Sequence, residues 1–393
     1  MDFKKTEEQE LLLDSLKTVM ERGNFEDYFK ECDRNHEYPQ KAVDALVEAG
    51  FTTLGIPEEF GGTPTDTLTQ VMVAEEAHAL GYPSLCWINF ATEVDDILTF
   101  GNKEQQEKIL GYALEGKKPF TLGFTEPQAG SDSAAMATTA TKRDGKVYIN
   151  GNKTFNTSAD RAPYMLCVCR SGVNESPYKD FSMYLFPMDR PGVAIEKLDK
   201  IGNNMCGTYE VHLDDVECEE SDLVGEECKG FYQLMKNFEW ERCVLLAELL
   251  GEAQAAMDDA CAWVNERQQF GKGIKTFQLV QEHIVEMQIE LTNTRNFLYR
   301  TCWKMDNGIP VNNDAAMLKR YGAPALTDCC SRALQLMGGL GFTDETRVSR
   351  LMLDCRGFQI GGGTVEIMVH ISGRGILKEY AKAAEDPDYL WTI

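Results

Sequence analysis

Apolar residues recur at helical spacing in both ends of the chain and at strand spacing in its middle. Leu12, Leu13, Leu16 and Met20 follow Thr6-Glu-Glu-Gln9, a capping-box pattern that predicts a helix beginning at Thr6. A second helix is predicted from Gln40 to near Gly50, then a turn-rich break at Ile56-Pro-Glu-Glu-Phe-Gly-Gly62. Further helices are expected over about 66–80, 86–100 and 103–114. From Phe120 to about Val224 the pattern shortens to β segments at 146–150, 164–170, 181–186, 193–196 and 208–213, bounded by Gly, Pro, Asp and Asn. A compact β-barrel or sandwich is the expected result. Helical spacing returns at Gly230, with a break at 267–273, helices over about 277–305 and 313–337, and glycine-rich breaks at 338–342 and 361–363. The class is therefore α+β, with an N-terminal helical domain (1–118), a β-barrel domain (119–225) and a C-terminal helical bundle (226–393).

Residues 230–251 form the stretch around which the rest is organised. They lack Pro, hold no glycine between their ends, and are rich in Leu, Glu and Ala. Leu234, Phe238, Glu241 and Leu245 are spaced four, three and four apart, so the Glu241 carboxylate is predicted on the core-facing stripe. Arg242 lies about 100° further round. A carboxylate on such a stripe is either a buried structural ion pair or a proton-transfer group. The helix alone leaves both open. An earlier helix carries Trp87, Phe90 and Glu93 on a mostly apolar face, where Glu93 reads most simply as an edge charge.

Charge narrows the partners. Lys plus Arg total 39 against 63 Asp plus Glu, a net charge of −24, which disfavours nucleic acid and anionic membranes. No apolar run approaches a membrane span, and Met-Asp-Phe-Lys-Lys-Thr-Glu-Glu does not read as a signal peptide. Thirteen cysteines without a CxxC pair read as reduced thiols of a cytoplasmic protein, and five scattered histidines argue against a metal centre.

Two stretches suit a ligand. Thr125-Glu-Pro-Gln-Ala-Gly-Ser-Asp132 offers backbone N–H groups and the Ser131 hydroxyl in a turn, which suit phosphate oxygens, though a plain turn reads the same way. In Asn150-Gly-Asn-Lys-Thr-Phe-Asn-Thr-Ser158, Phe155 and Thr157 share one side of an extended segment and could flank a flat ring.

Here the chain resembles the acyl-CoA dehydrogenase family. Thr-Glu-Pro-x-Ala-Gly-Ser-Asp looks like its signature, and 56–62, 150–157, Arg267-Gln-Gln-Phe-Gly271 with Phe277, Gln278 and Gln281, and Gln335-Leu-Met-Gly-Gly-Leu-Gly-Phe342 match in order. The likeness spans about 1–380. It implies a C-terminal four-helix bundle, a homotetramer, bound FAD, and exchange of electrons with electron-transfer flavoprotein. The reaction it implies removes an α-proton to a carboxylate while the β-hydride passes to flavin. By position, Thr125, Thr157 and Phe155 would contact the flavin ring, and Ser131 the phosphate-bearing part of the ligand. Arg267, Phe270, Gln335 and Gly339 would belong to the FAD site, the first three reaching a neighbouring subunit's cofactor. Thr364 and Glu366 would lie near its adenosine half, and Arg242 near the CoA chain.

One departure decides the chemistry. Many members supply the base from Tyr-Glu-Gly-Thr, where this chain has Gly361-Gly362-Gly363-Thr364. A glycine moves no proton, although the Gly362 N–H can still donate to a thioester oxygen. A minority, similar to isovaleryl- and long-chain members, carry the base on the earlier helix just before an arginine, as in Glu241-Arg242. Loss at Gly362 and gain at Glu241 are complementary, which turns the reading of Glu241 towards catalysis. Burial beside flavin and thioester is expected to raise its pKa towards neutrality. Glu126 and Glu366 are the rival carboxylates and read as structural.

The segment Phe29-Lys-Glu-Cys-Asp-Arg34, Tyr38-Pro39 and Asp306-Asn-Gly308 resemble the crotonobetainyl-CoA reductase branch, which implies a possible reducing direction with Glu241 as the acid. A trimethylammonium acyl group would then be met by Trp87, Phe90 and Glu93. From another class stands a catalytically idle acyl-CoA or FAD binding protein.

Overall fold

The computed structural model describes residues 4–87, 91–174 and 176–385. It resolves into two compact units, Met1–Val73 with Tyr82–Phe238, and Ala74–Gly81 with Glu239–Ile393.

The first unit opens with α1 (Glu7–Gly23), α2 (Glu26–Asn35), α3 (Gln40–Glu48) and most of α4 (Thr67–Ala79), then α5 (Ala91–Phe100) and α6 (Lys103–Leu114). The expected capping box forms: Gln9 N donates to Thr6 Oγ1 at 3.2 Å and Thr6 N to Gln9 Oε1 at 3.0 Å. Asn102 and Gln105 repeat the device at the start of α6. Trp87, expected inside the fourth helix, instead precedes α5, packed edge-on against Tyr82. Phe90 lies outside the described residues.

Eight strands follow: β1 (Phe120–Gly123), β2 (Thr139–Arg143), β3 (Lys146–Thr157), β4 (Tyr164–Arg170), β5 (Phe181–Pro187), β6 (Val193–Lys197), β7 (Thr208–Cys218) and β8 (Leu223–Val224). They form one sheet in the order β6-β7-β3-β2-β4-β5-β8, with β1 parallel to β4. Side chains alternate between two apolar clusters. Met165, Cys167, Cys169, Tyr184 and Phe186 enter one, while Leu166, Val168, Phe181, Met183 and Leu185 enter the other. Burial on both faces explains why β4 and β5 read as unbroken apolar runs. Ile97 of α5, Ile109 of α6, and Leu234 and Phe238 complete the second cluster.

A buried ion pair braces the turn after β1. Lys153 is fully buried, and its Nζ donates to Glu126 Oε1 at 2.8 Å and to the Phe124 carbonyl at 3.1 Å. Glu126 also accepts from the backbone N–H groups of Ala137 and Thr138. Burial opposes its charge, but Lys153 and these donors hold the carboxyl below its ordinary range. The partners of Glu126 all come from the protein itself, in keeping with a structural Glu126. Lys153→Met should cost about 3 kcal/mol in urea unfolding, because Glu126 is left as an uncompensated buried charge. A carboxyl depressed on folding adds stability above its unfolded pKa and loses it as pH falls through the lower, folded value. The wild-type advantage over Lys153→Met should therefore shrink only at acid pH, below the ordinary glutamate range.

The second unit is helical: α7 (Gly230–Glu266, entering from the first unit), α8 (Gln278–Asp306), α9 (Asn312–Met337), α10 (Val348–Gly357) and α11 (Val365–Glu385), with a short hairpin of β9 (Gln268–Gln269) and β10 (Lys272–Gly273). α9 lies against α8, α10 and α11. α7 runs on through Gly251, where the α4 backbone passes so close that a Cβ would stand 2.2 Å from the Glu75 carbonyl oxygen. Glu75 is itself held by Arg295 and Tyr299 of α8, at 2.6 and 2.7 Å.

Candidate active site

In the first unit the two expected ligand stretches meet. Thr154 N donates to the Thr125 carbonyl at 2.8 Å, and Thr121 Oγ1 to the Thr157 carbonyl at 2.9 Å. Thr125, Phe155 and Thr157 are thereby brought to one place. The β3–β7 register slips between Lys153 and Asn156, and Phe155 takes a left-handed backbone, φ 58°. Such a conformation is strained for a bulky side chain and typical of bulges that re-aim one residue. Its ring is left 66% exposed instead of packed. Ser131 is exposed in the turn beyond Glu126.

Glu93 takes a different part from the one considered above. Lys118 pairs directly with its carboxylate, and Thr92 Oγ1 donates at 2.8 Å. Burial disfavours its charge, but Lys118 outweighs that and lowers its pKa. Its charge is met inside the protein.

In the second unit the predicted faces of α7 need correcting. Glu241 and Leu245 are only part-buried, whereas Arg242 is 3% exposed. The amphipathic argument fails because the helix is buried nearly all round, with Trp240, Cys243, Val244, Leu246 and Ala247 also inside. α7 carries several other buried carboxylates with local partners: Asn312 Nδ2 donates to Glu239 at 3.3 Å, Glu248 lies 3.8 Å from His78 Nε2, and Cys355 Sγ donates to Glu252 at 3.4 Å.

Glu241 differs in what it stands beside. A Cβ added to Gly362 would lie 3.6 Å from Glu241 Oε1, 3.3 Å from Lys319 Nζ and 2.8 Å from Leu245 Cδ1. The helical carboxylate and the glycine turn are thus neighbours. Gly362 and Gly363 both have left-handed backbones, φ 68° and 87°, which break α10 from α11. Arg242 Nε is buried with no hydrogen-bond partner among the described residues, and burial lowers its pKa. An orphaned guanidinium nitrogen suits an incoming polar ligand.

Lys319 was not singled out from sequence. It lies on a stripe with Ala315, Gly322, Ala323 and Leu326, fully buried, and donates to the Gly361 carbonyl at 2.5 Å.

The remaining predicted residues lie apart from this cluster. Phe270 caps the β9–β10 hairpin at φ 53°, followed by Gly271 at φ 77°, and its ring is 93% exposed. The Arg267 guanidinium lies 5.5 Å from the centre of the Trp263 ring. Gln335 is exposed near the far end of α9, about 24 Å along the helix axis from Lys319, and Gly339 is exposed in the turn just past it. Thr364 and Glu366 follow the glycine turn, Glu366 exposed and Thr364 Oγ1 accepting from Ile367 N at 3.3 Å.

The first unit holds an exposed aromatic ring on a strained bulge, and the second holds a carboxylate set against a glycine turn. An aromatic face held out by a strained bulge fits a flat heteroaromatic group better than it fits core packing. The chain matches the family descriptions "Acyl-CoA dehydrogenase, N-terminal domain" over 6–117, "middle domain" over 121–216 and "C-terminal domain" over 228–377. It is 44% identical over 381 residues to the probable acyl-CoA dehydrogenase YdiO of Escherichia coli K12, covering 97% of this chain and 99% of that one. The butyryl-CoA dehydrogenase structure from Megasphaera elsdenii superposes with a TM-score of 0.90 at 29% identity, covering 96% and 100% of the two chains. A chain in the structure of the electron transferring flavoprotein of Acidaminococcus fermentans gives 0.89 at 28%, covering 96% and 100%. The protein belongs to the acyl-CoA dehydrogenase family, FAD-dependent enzymes acting on carbon–carbon bonds.

Proposed function

We propose that this enzyme removes hydrogen across the α,β bond of an acyl-CoA thioester, with Glu241 as the group that accepts the α-proton. The observation that carries the reading is the 3.6 Å between Glu241 Oε1 and the point where a side chain on Gly362 would begin. A carboxylate there replaces the one that the turn lacks. Bound FAD supplies the hydride acceptor. The Gly362 N–H is the donor for a thioester oxygen, where it would stabilise developing enolate charge. Arg242, with its orphaned Nε, holds the CoA chain.

Thr125, Phe155 and Thr157 hold the flavin ring, and Ser131 lies by the phosphate-bearing part of the ligand. Arg267, Phe270 and Gln335 serve the cofactor of a neighbouring subunit in a homotetramer, Gly339 belongs to the FAD site, and Thr364 and Glu366 lie near the adenosine half. The exposed rings of Phe270 and Phe342 support such an assembly, since exposed aromatics favour interfaces. Electron-transfer flavoprotein is the redox partner, a reading that the Acidaminococcus likeness supports, and the cytoplasm is the proposed compartment. Glu93 is committed to Lys118, which argues against its meeting a cationic acyl group. Run in reverse, the same residues would reduce an enoyl-CoA, with Glu241 as the acid.

The test is an anaerobic titration of FAD-loaded protein with butyryl-CoA, glutaryl-CoA and longer saturated acyl-CoA thioesters, and of the chemically reduced protein with crotonobetainyl-CoA. Bleaching of the flavin band by a saturated, neutral thioester is expected. Binding without a change in the flavin band by any of them would indicate an idle binding protein. Phe155→Ala should weaken FAD by about 1 kcal/mol, a several-fold rise in Kd read by quenching of flavin fluorescence. An unchanged Kd would remove Phe155 from the ring site.

A further inference from the structure

An ammonium in the middle of α9 is costly to bury unless something meets its charge. Lys319 has no solvent exposure, yet its Nζ meets only part of that cost through the Gly361 carbonyl at 2.5 Å. Lys319 Nζ and Glu241 Oε1 lie 3.3 and 3.6 Å from the same point, the place of a Gly362 Cβ. They are therefore no further apart than the sum of those distances. Among the described residues, two charges act on Lys319, both from α7: Glu241 favours its cation and Arg242 opposes it. Burial is the largest influence and brings its pKa down to about 8. The turn between α10 and α11 contributes the Gly361 carbonyl dipole.

We propose that Lys319 is a positioning residue for the proton transfer, holding the Glu241 carboxylate ionised while pinning the 361–363 turn through the Gly361 carbonyl. The inference rests on Glu241 being the base. Coupling between two charges is reciprocal, so whatever Glu241 does for the lysine cation, the cation does for the carboxylate. A protein that has moved its base onto α7 then needs a cation that reaches both the new carboxylate and the glycine turn. α9 supplies it from one residue, and Gly322, one turn on, lets α9 come close to Leu246 of α7. As pH rises through about 8, Lys319 gives up its proton and the support for Glu241 falls away.

The experiment follows the carboxyl itself in the FAD-loaded protein without substrate. In infrared pH titrations, the carboxyl band absent from Glu241→Gln identifies Glu241. Lys319→Met should raise its midpoint by about one unit or more, as expected for losing a cation at this range. Lys319→Gln keeps a donor for Gly361 without the charge and should show the same shift. The same variants, reduced with the thioester that bleaches wild type, should show the acid limb of the rate profile moved upward by the same amount. A midpoint that stays put, a rate loss equal at every pH, or failure of both variants to fold with FAD would each make Lys319 merely structural and overturn the proposal. Kinetics of Glu241→Gln judge the base separately: if that variant turns over normally, the reading of Glu241 fails, whatever the lysine does.

Discussion

Glu241→Gln should slow flavin reduction by about a thousandfold while leaving FAD content and fold intact. The amide keeps the shape of the side chain but cannot take a proton, and a positioned acid or base contributes about 10²–10⁴ in rate. Thioester binding should change little, because Arg242 and the backbone of the glycine turn remain. The measurement is anaerobic stopped-flow reduction of wild type and variant by the same thioester. A loss under tenfold would show that another group carries the proton. Glu239, Glu248 and Glu252 are poor substitutes, since Asn312, His78 and Cys355 already engage them.

Gly251→Val should cost about 4 kcal/mol or more and leave little folded protein at 37 °C. A Cβ at this position meets the Glu75 carbonyl oxygen at 2.2 Å, His78 Cβ at 2.6 Å and Ala79 N at 2.8 Å. Two of these are backbone atoms, which cannot swing aside as a side-chain end would. Glu75 is fastened to Arg295 and Tyr299, so α4 cannot retreat without breaking those bonds. In an exposed helix, replacing glycine would gain up to about 1 kcal/mol of helix propensity, far less than this clash. Urea unfolding decides it: a variant as stable as wild type would mean that α4 and α7 do not cross so closely.

Much of this architecture was legible in the residues. Short apolar runs bounded by Gly, Pro, Asp and Asn gave the strands, and the capping box at Thr6 gave the first helix start, because both signals are local. The candidate site was legible where a residue broke its local pattern. Glu241 stood out as a carboxylate among apolar neighbours, and Gly362 as a glycine where a carboxylate was expected. Lys319 carried the same signal, an ion on a stripe with Ala315, Gly322 and Leu326, and could have been found by the same rule. The degree of burial of Arg242 could not. One-sided periodicity assumes a helix with one wet face, and α7 has apolar neighbours almost all round. Phe155 likewise read as one side of a strand, since a register slip is a pairing event between two distant segments. The partnership of Glu93 with Lys118 crosses 25 positions and left no periodic trace.

With Glu241 as the proposed base, the left-handed backbone at Gly362 closes the neighbouring turn to a replacement carboxylate. Placing glutamate at that position would demand an unfavourable conformation and displacement of Leu245, so a protein that lost Glu241 would find no single-step replacement at 362. Libraries randomised at 362 in a Glu241→Gln background should return glycine, and survivors that regain turnover should restore codon 241.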